Sequence, residues 1–174
     1  MQFRIRPLEA GDARVIHAMR IMPGVFETLL AAPSESYETC TAYVNRMLGD
    51  PGEHAFVAVT DDGAKGELVI GEIGLSVSGR PRTRHCGSLG LLVHADYQNS
   101  GVGTALMSAA LDLADNWLML ARCELTAYCD NERAVHLYEK FGFEKEGVRR
   151  ASAIRGGKLC DEFYMGRLNP NLKL

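Results

Sequence analysis

The chain has 174 residues, of which 47% are hydrophobic and 24% are charged. This length suits one globular domain, and this composition excludes a disordered chain. The formal net charge of −3 argues against a nucleic-acid partner, because binding to phosphates requires a basic surface. No apolar run approaches the roughly 20 residues that span a bilayer, and no apolar signal segment opens the chain. We therefore expect a cytoplasmic protein without a membrane partner.

In the first half of the chain, the hydrophobic pattern predicts a strand, two helices and two further strands, over residues 3–6, 12–22, 36–48, 55–60 and 68–77. Gly49 stands where a helix C-cap glycine belongs. The turn-rich segment 61–66 separates the last two strands and indicates a hairpin. Residues 80–84 are polar and rich in arginine, and we expect them to form an exposed loop.

In the second half, the pattern predicts a strand, a long helix, a strand, a helix and two final strands, over residues 85–94, 101–118, 122–128, 131–141, 151–154 and 161–168. Trp117 falls on the predicted apolar face of the long helix. Asn131 is placed to cap the last helix and Gly142 to end it. The pair Gly156-Gly157 is a hairpin signal between the last two strands.

This order of elements predicts an α/β fold with one mixed sheet of about seven strands and helices on both faces. We expect a single domain over residues 1–168 and a loose C-terminal tail over 169–174. Exposed strand edges in a small mixed sheet favour pairing between chains, so we also expect a homodimer.

Five cysteines lie far apart in the sequence, at Cys40, Cys86, Cys123, Cys129 and Cys160. They are odd in number, include no CxxC pair, and several have apolar neighbours. Disulfides, a zinc site or a nucleophile are alternatives, but the pattern favours reduced cysteines that pack as small hydrophobic residues. We therefore expect no metal.

A glycine-containing segment joins the strand that ends near Val93 to the long helix, and it reads Gln98-Asn99-Ser100-Gly101-Val102-Gly103. The unpaired N–H groups at a helix N-terminus bind a pyrophosphate well, and glycines at 101 and 103 let the backbone approach it closely. No Lys-Ser or Lys-Thr pair follows the glycines, and the Rossmann spacing is absent, which excludes both of those motifs. Glycines that only permit a tight turn are the alternative.

Two motifs resemble the signatures of GNAT acetyltransferases. Gln98-x-x-Gly101-x-Gly103 is similar to the acetyl-coenzyme A loop of that family, and Asn131-x-x-Ala134-x-x-x-Tyr138-x-x-Phe141-Gly142-Phe143 is similar to its second signature. The predicted element order fits the family along nearly the whole chain. The resemblance implies the GNAT acyl-CoA N-acyltransferase fold and transfer of acetyl from acetyl-CoA to a primary amine.

The resemblance also implies a set of cofactor-binding residues: Leu92, Val93, Gln98, Asn99, Ser100, Gly101, Val102, Gly103, Thr104, Asn131 and Tyr138. Leu92 and Val93 match the strand end whose backbone pairs with the pantetheine in the family. Asn131 matches an asparagine near the pantetheine arm, and it also suits a helix N-cap.

Tyr138 is the predicted general acid. A phenol with a pKa near 10 can protonate the departing thiolate and still be neutral at pH 7. Its position matches the tyrosine that has this role in many GNAT enzymes. Packing of the ring in the core is the alternative.

The sequence leaves the general base open. Glu72 and His85 are candidates, acting directly or through a water, because their strands line the amine-binding cleft of the family. Either could instead be a surface residue, whereas Glu124 more closely fits a pair with a basic neighbour. A base could also be unnecessary, because an α-amine with a pKa near 8 is about a tenth neutral at pH 7. A lysine-type amine with a pKa near 10.4 is less than a thousandth neutral there.

Further residues resemble bacterial broad-specificity L-amino-acid N-acetyltransferases, among them Asp115-Asn116-Trp117-Leu118, Arg122-x-Glu124-Leu125-Thr126, Arg155-x-Gly157, Asp161 and Tyr164-Met165-x-Arg167. This resemblance predicts the α-amine of amino acids or related small molecules as the acceptor. Peptide N-termini, aminoglycosides and polyamines are alternatives, and so is a non-catalytic module that binds coenzyme A as a regulator. Tyr138 argues against that module, because a sensor needs no proton donor beside the thiol.

Overall fold

A computed structural model describes residues 2–63 and 66–173. Seven strands lie within these residues: β1 (Arg4–Pro7), β2 (Glu53–Asp61), β3 (Glu67–Val77), β4 (Cys86–Val93), β5 (Arg122–Tyr128), β6 (Glu144–Arg155) and β7 (Lys158–Leu168). Four α-helices lie between them along the chain: α1 (Ala13–Arg20), α2 (Tyr37–Gly49), α3 (Val102–Asp112) and α4 (Glu132–Lys140). The predicted order of elements and the α/β class are confirmed.

The strands form one mixed sheet in the order β1-β2-β3-β4-β5-β7-β6. β4 and β5 are parallel, whereas the pairs β1–β2, β2–β3, β5–β7 and β6–β7 are antiparallel. Chain contacts define two compact units. The first unit is Met1–Ser76 with Gly90–Asp112, and the second unit is Val77–Leu89 with Leu113–Leu174. A single domain over residues 1–168 stays a prediction.

Both predicted hairpins are present. The pairing of β2 with β3 runs from Glu53↔Ser76 to Asp61↔Glu67, and the part of the predicted turn at Ala64 and Lys65 lies outside the described residues. Between β6 and β7, Gly156 has φ +57° and Gly157 has φ +75°. These left-handed conformations are the reason that the tight turn uses glycines.

In the first unit, two glycines of β3 allow helices to approach the strand closely. A Cβ atom on Gly71 would lie 3.0 Å from the side chains of Val102 and Leu106 on α3. A Cβ atom on Gly74 would lie 3.0 Å from Cε of Met47 on α2. Residues three apart on a strand face opposite sides of the sheet, so α2 and α3 cover opposite faces of β3. The core on the α2 side includes Ile16, Met19, Cys40, Val44, Val57, Val59 and Val69.

In the second unit, a buried ion pair fastens the segment after α3 to β7. Arg167 donates two hydrogen bonds to the Asp115 carboxylate, at 2.9 and 2.7 Å, and a third to the Phe141 carbonyl at 2.9 Å. Asn169 is the first residue of the predicted loose tail, yet it is only 3% exposed. Its side chain donates to the carbonyls of Asp115 and Leu120, so Asn169 is anchored and a loose tail can begin only after it.

The predicted long helix over 101–118 is wrong in its last turns. α3 ends at Asp112, and a π-helical turn over Leu113–Trp117 follows. A π-helical turn is wider than an α-helical turn, so the five residues in it point in directions that differ from those of a continued α-helix. As a result Trp117 is 76% exposed, and its predicted place on the apolar face is also wrong.

Several other boundaries differ from the prediction, and two of them have a clear physical reason. Gly49 is the last helical residue of α2, and the capping position is taken by Asp50 with an extended backbone. β6 begins at Glu144, seven residues before the predicted start at residue 151. Residues 144–151 are all exposed, so this part of the strand has no alternation of polar and apolar residues that a sequence pattern could detect.

Within the part of the chain that the structure describes, no helix is long and apolar enough to cross a membrane. The five cysteines are unpaired thiols. Cys40 and Cys123 are buried as predicted, and burial raises the pKa of each thiol to about 11. Cys86, Cys129 and Cys160 are partly exposed, which differs from the buried location that we expected.

Candidate active site

The loop between β4 and α3 presents the N-terminus of α3 to solvent. A short 3₁₀ turn over Ala95–Tyr97 leads to Asn99 with φ +60° and Gly101 with φ +88°. The helix then starts with the hydrogen bond from Ala105 N to Gly101 O, at 3.0 Å. The N–H groups of residues 102–104 precede this bond and point out of the helix end. A Cβ atom on Gly101 would meet no atom within 4 Å, so the space in front of the loop is open to an anion.

Gln98 fixes the shape of this loop. Its side-chain amide donates to the carbonyl of Gly24, after α1, and to the carbonyl of Val93, at the end of β4, both at 3.2 Å. Ser100 adds a hydrogen bond from its hydroxyl to the Tyr97 carbonyl. The side chain of Gln98 is therefore directed at protein atoms, and its contribution to cofactor binding would be to hold the backbone in place.

The end of β4 is fixed by its neighbours in the first unit. The side chain of Leu92 is buried, and Val93 is half-buried. His94, the next residue, donates its backbone N–H to the Ile70 carbonyl of β3 at 3.0 Å. The parallel β4–β5 ladder pairs residues 86–88 with residues 122–124, all in the second unit. Leu92 and Val93 thus lie beyond the last residue pair of the β4–β5 ladder.

Tyr138 lies on α4 in the second unit and is 7% exposed. Its ring packs against Phe143, with the ring centroids 6.2 Å apart. Burial raises the pKa of Tyr138 to about 12. The phenol consequently keeps its proton at neutral and moderately alkaline pH, which a general acid requires.

Asn131 and Gly142 set the two ends of α4. The Asn131 side chain accepts a hydrogen bond from the backbone N–H of Ala134 at 3.2 Å, which confirms the predicted N-cap. Gly142 has φ +84°, and the next residue, Phe143, donates to the Tyr138 carbonyl at 3.1 Å. The second sequence motif therefore encodes a short helix with defined ends and Tyr138 near its C-terminus.

Glu72 is a buried carboxyl group on the α2 face of β3, only 2% exposed. The hydroxyl of Tyr43 on α2 donates to Glu72 Oε1 at 2.5 Å. Burial raises the pKa of Glu72, while the Tyr43 hydrogen bond and the positive charge of Arg20 act in the opposite direction. The alternative of a solvated strand residue is wrong for Glu72.

The other acid–base candidates have a different environment. His85 is exposed in the second unit, and its backbone carbonyl accepts hydrogen bonds from the N–H groups of Ala121 and Arg122. Glu124 forms an ion pair with Arg122 at 3.2 Å and accepts a hydrogen bond from Tyr164. The predicted pairing of Glu124 with a basic neighbour is confirmed.

The structure thus groups the candidates by unit. The loop, Leu92, Val93 and Glu72 belong to the first unit, and Asn131, Tyr138 and His85 belong to the second. The sequence reasoning missed Tyr43 as a partner of Glu72. Tyr43 is three residues after Cys40 and four before Met47, and this helical spacing on α2 indicates that its ring faces the core but does not identify its partner.

The chain belongs to the acetyltransferase (GNAT) family, whose sequence model matches residues 22–143. It is 34% identical to the L-amino acid N-acetyltransferase AaaT of Escherichia coli (strain K12), over 94% of this chain and 96% of that protein. It is 28% identical to spermidine N(1)-acetyltransferase of Vibrio cholerae serotype O1, over 84% of this chain and 81% of that protein. A crystal structure of spermidine N-acetyltransferase from Vibrio cholerae in complex with CoA and spermine is also similar. It has a TM-score of 0.81 at 27% identity and covers 97% of this chain and 96% of that one. The protein is an acetyl-CoA-dependent N-acetyltransferase.

We predict that Gly103→Val weakens acetyl-CoA binding at least tenfold, or about 1.4 kcal/mol, because the branched side chain blocks the approach of the pyrophosphate to the helix end. Gly103 lies inside α3, so this variant changes bulk without changing the required backbone conformation. Gly101→Val is less specific, since φ +88° would strain a valine in any surroundings. Calorimetric titration with acetyl-CoA measures the affinity.

Gly49→Val is the matched control, because Gly49 is also a helical glycine and a Cβ atom there meets nothing within 4 Å. We expect this control to bind acetyl-CoA as the wild type does. Unchanged affinity in a folded Gly103→Val variant would show that the loop does not hold the cofactor.

Proposed function

We propose that the acceptor is the α-amine of an amino acid or of a related small molecule. The observation that carries this proposal is the similarity to the L-amino acid N-acetyltransferase AaaT, which is higher in identity and coverage than the similarity to the Vibrio cholerae spermidine enzyme. A polyamine is the second candidate, because the spermidine enzymes resemble this chain in sequence and in fold.

Several carboxylates of the first unit are engaged by arginines and are therefore less available to a polyamine. A polyamine carries several positive charges, and carboxylates without a cationic partner would be needed to hold them. Four carboxylates among the described residues of this unit are paired with arginines, in the pairs Arg4–Glu67, Arg6–Asp12, Arg20–Glu35 and Arg46–Glu53. The Arg20 guanidinium holds the pKa of Glu35 below its usual value, so that carboxylate is committed to its partner.

In the proposed mechanism, acetyl-CoA supplies the thioester, and the acetyl group passes to the amine as the C–S bond breaks. The backbone N–H groups at the start of α3 hold the pyrophosphate, within a loop that also includes Asn99, Ser100 and Thr104. Backbone groups of Leu92 and Val93 pair with the pantetheine arm. Their side chains need only be apolar for this role.

Tyr138 donates its proton to the departing thiolate, and Glu72 takes the proton that the amine loses. We prefer Glu72 to His85 as the base because Glu72 is a buried carboxyl group with a raised pKa, which makes it a stronger base than an exposed carboxylate. His85 is exposed, and nothing in its surroundings distinguishes it from a surface imidazole.

We predict that Tyr138→Phe leaves acetyl-CoA affinity nearly unchanged and lowers kcat by about 10²–10⁴-fold, the usual contribution of a general acid. In the wild type, kcat should show no alkaline decline from this group through pH 10, because burial raises the pKa of Tyr138 to about 12. Steady-state kinetics against pH measures both effects. Wild-type turnover in the variant would remove Tyr138 from the mechanism.

The acceptor is tested by release of free thiol from acetyl-CoA across a panel of L-amino acids, a tripeptide, an aminoglycoside and spermidine. We expect the highest kcat/KM for amino acids, rising with pH and levelling near 8, where the α-amine is neutral. Glu72→Gln should lower kcat/KM only slightly with an α-amine and much more with an amine of pKa near 10. The second kind of acceptor must lose a proton that it holds far more tightly.

A strong preference for spermidine that is lost in Glu72→Gln would replace the amino acid by the polyamine. Absence of thiol release with every amine would favour the non-catalytic module instead. Each outcome leaves the membership of the GNAT family unchanged.

We also propose a homodimer. β6 is an edge strand of the sheet, and its residues 144–151 are exposed on both faces, including Val148 at 52%. Long exposed edge strands invite pairing with a second chain, and two-fold symmetric dimers are the commonest assembly. Light scattering at micromolar concentration should give the mass of two chains, and a mass of one chain would contradict the proposal.

A further inference from the structure

The partner of the buried Glu72 is held by a cluster of side chains that has no counterpart in the sequence motifs. Glu72 and Gly74 are two residues apart on β3 and therefore share the α2 face. A Cβ atom on Gly74 would lie 3.2 Å from the Tyr43 hydroxyl and 3.8 Å from Glu72 Oε1. The missing side chain at Gly74 thus leaves the space in which the Tyr43 hydroxyl meets the carboxyl group.

Two arginines contact the ring of Tyr43. The guanidinium of Arg20 lies 5.1 Å from the ring centroid, and that of Arg46 lies 5.5 Å from it. Arg20 is held in turn by Glu35, with hydrogen bonds of 2.6 and 2.8 Å. Cation–π contacts of this kind restrict the ring, so the hydroxyl is presented to Glu72 in one direction.

The Tyr43 hydroxyl donates the hydrogen bond and Glu72 Oε1 accepts it. Burial and the nearby Glu72 charge raise the pKa of Tyr43, so Tyr43 is the donor and Glu72 the acceptor. A hydrogen bond to the ionised form of a carboxyl group favours that form and opposes the effect of burial. Five other titratable or charged groups lie around the pair. Arg20 is on α1, Glu35 is on the segment between α1 and α2, Cys40 and Arg46 are on α2, and Glu53 is on β2.

We propose that Tyr43 is a positioning residue that keeps Glu72 ionised and oriented for removal of the proton from the acceptor amine. The proposal rests on Glu72 being the base in the proposed function. The proton leaves the amine nitrogen for a Glu72 carboxylate oxygen, directly or through one water, while the Tyr43 O–H bond stays intact. Tyr43 therefore acts through Glu72 and needs no contact with the substrate.

The decisive variant is Tyr43→Phe, which removes the hydroxyl and retains the ring that the two arginines contact. Loss of one hydrogen bond to a charged group should move the titration of Glu72 upward by about one pH unit. The protonated Glu72 is followed by infrared difference spectroscopy of its carboxylic acid C=O stretch, identified by its absence in Glu72→Gln. This measurement needs no substrate, so it is independent of the identity of the acceptor.

The kinetic arm uses the full chain and spermidine, the panel acceptor whose amine has a pKa near 10, because removal of its proton depends most on Glu72. At pH 7, kcat/KM of Tyr43→Phe should fall several-fold and return to the wild-type value as the pH rises, because Glu72 is then ionised in both proteins. Gly74→Ala, which crowds the hydroxyl without deleting it, should shift the titration in the same direction by less. Addition of Tyr43→Phe to Glu72→Gln should cause no further loss of kcat/KM, since Tyr43 acts only through Glu72.

Tyr37→Phe is the matched control, since Tyr37 lies on the same helix, is 40% exposed and packs edge-to-face on His17. We expect it to change neither the infrared titration nor the pH profile. An unchanged Glu72 titration in Tyr43→Phe would overturn the proposal. A rate loss that does not recover at high pH would also overturn it, because that result is the signature of a structural defect. If the titration shifts as expected but the panel selects a polyamine, only the proposed acceptor fails.

Discussion

The close packing of α2 and α3 against opposite faces of β3 is the constraint on which the rest of the first unit depends. Gly71 lets α3 approach one face, and Gly74 leaves room for α2 on the other. The first contact sets the position of the helix end that would meet the phosphates. The second sets the position of Tyr43 beside Glu72. Two missing side chains on one strand thus determine where the anion-binding backbone and the buried carboxyl group can be.

Burial has the same effect on Glu72 and Tyr138, but the consequence for catalysis is different in each case. Removal from water disfavours the charged form, so it raises the pKa of both groups. A phenol with a raised pKa retains its proton at alkaline pH and is also a weaker acid than a phenol in water. A carboxylate with a raised pKa binds a proton more tightly than an exposed one, provided that it remains ionised. The proposed base therefore needs a compensating donor, for which we propose Tyr43, whereas the proposed acid needs none.

The parts of the site that depend on local backbone geometry could be predicted from the sequence. The helix start after Gly101, the Asn131 cap and the stop at Gly142 each follow from the conformational preference of one residue type. The pairing of Tyr43 with Glu72 could not be predicted, because the two residues are 29 positions apart and meet only after α2 has packed on β3.

Irregular geometry limited the prediction in a similar way elsewhere. The π-helical turn has no distinctive residue pattern, and it follows α3 without a glycine or proline to mark the boundary. The early part of β6 is exposed on both faces, so it lacks the alternation that identifies a half-buried strand. Sequence patterns depend on a regular period of buried residues, and neither a π-helical turn nor a fully exposed strand has that period.

The π-helical turn has a further consequence for how this enzyme can be studied. It exposes Trp117, the single tryptophan of the chain, two residues away from the buried Asp115 that binds Arg167. The indole is in water while its backbone is tied to the buried ion pair of the second unit. Its fluorescence is therefore an intrinsic reporter of one defined place in the molecule, free of overlap from any other indole. The π-helical turn, which the sequence pattern did not predict, therefore provides the second unit with a fluorescent probe.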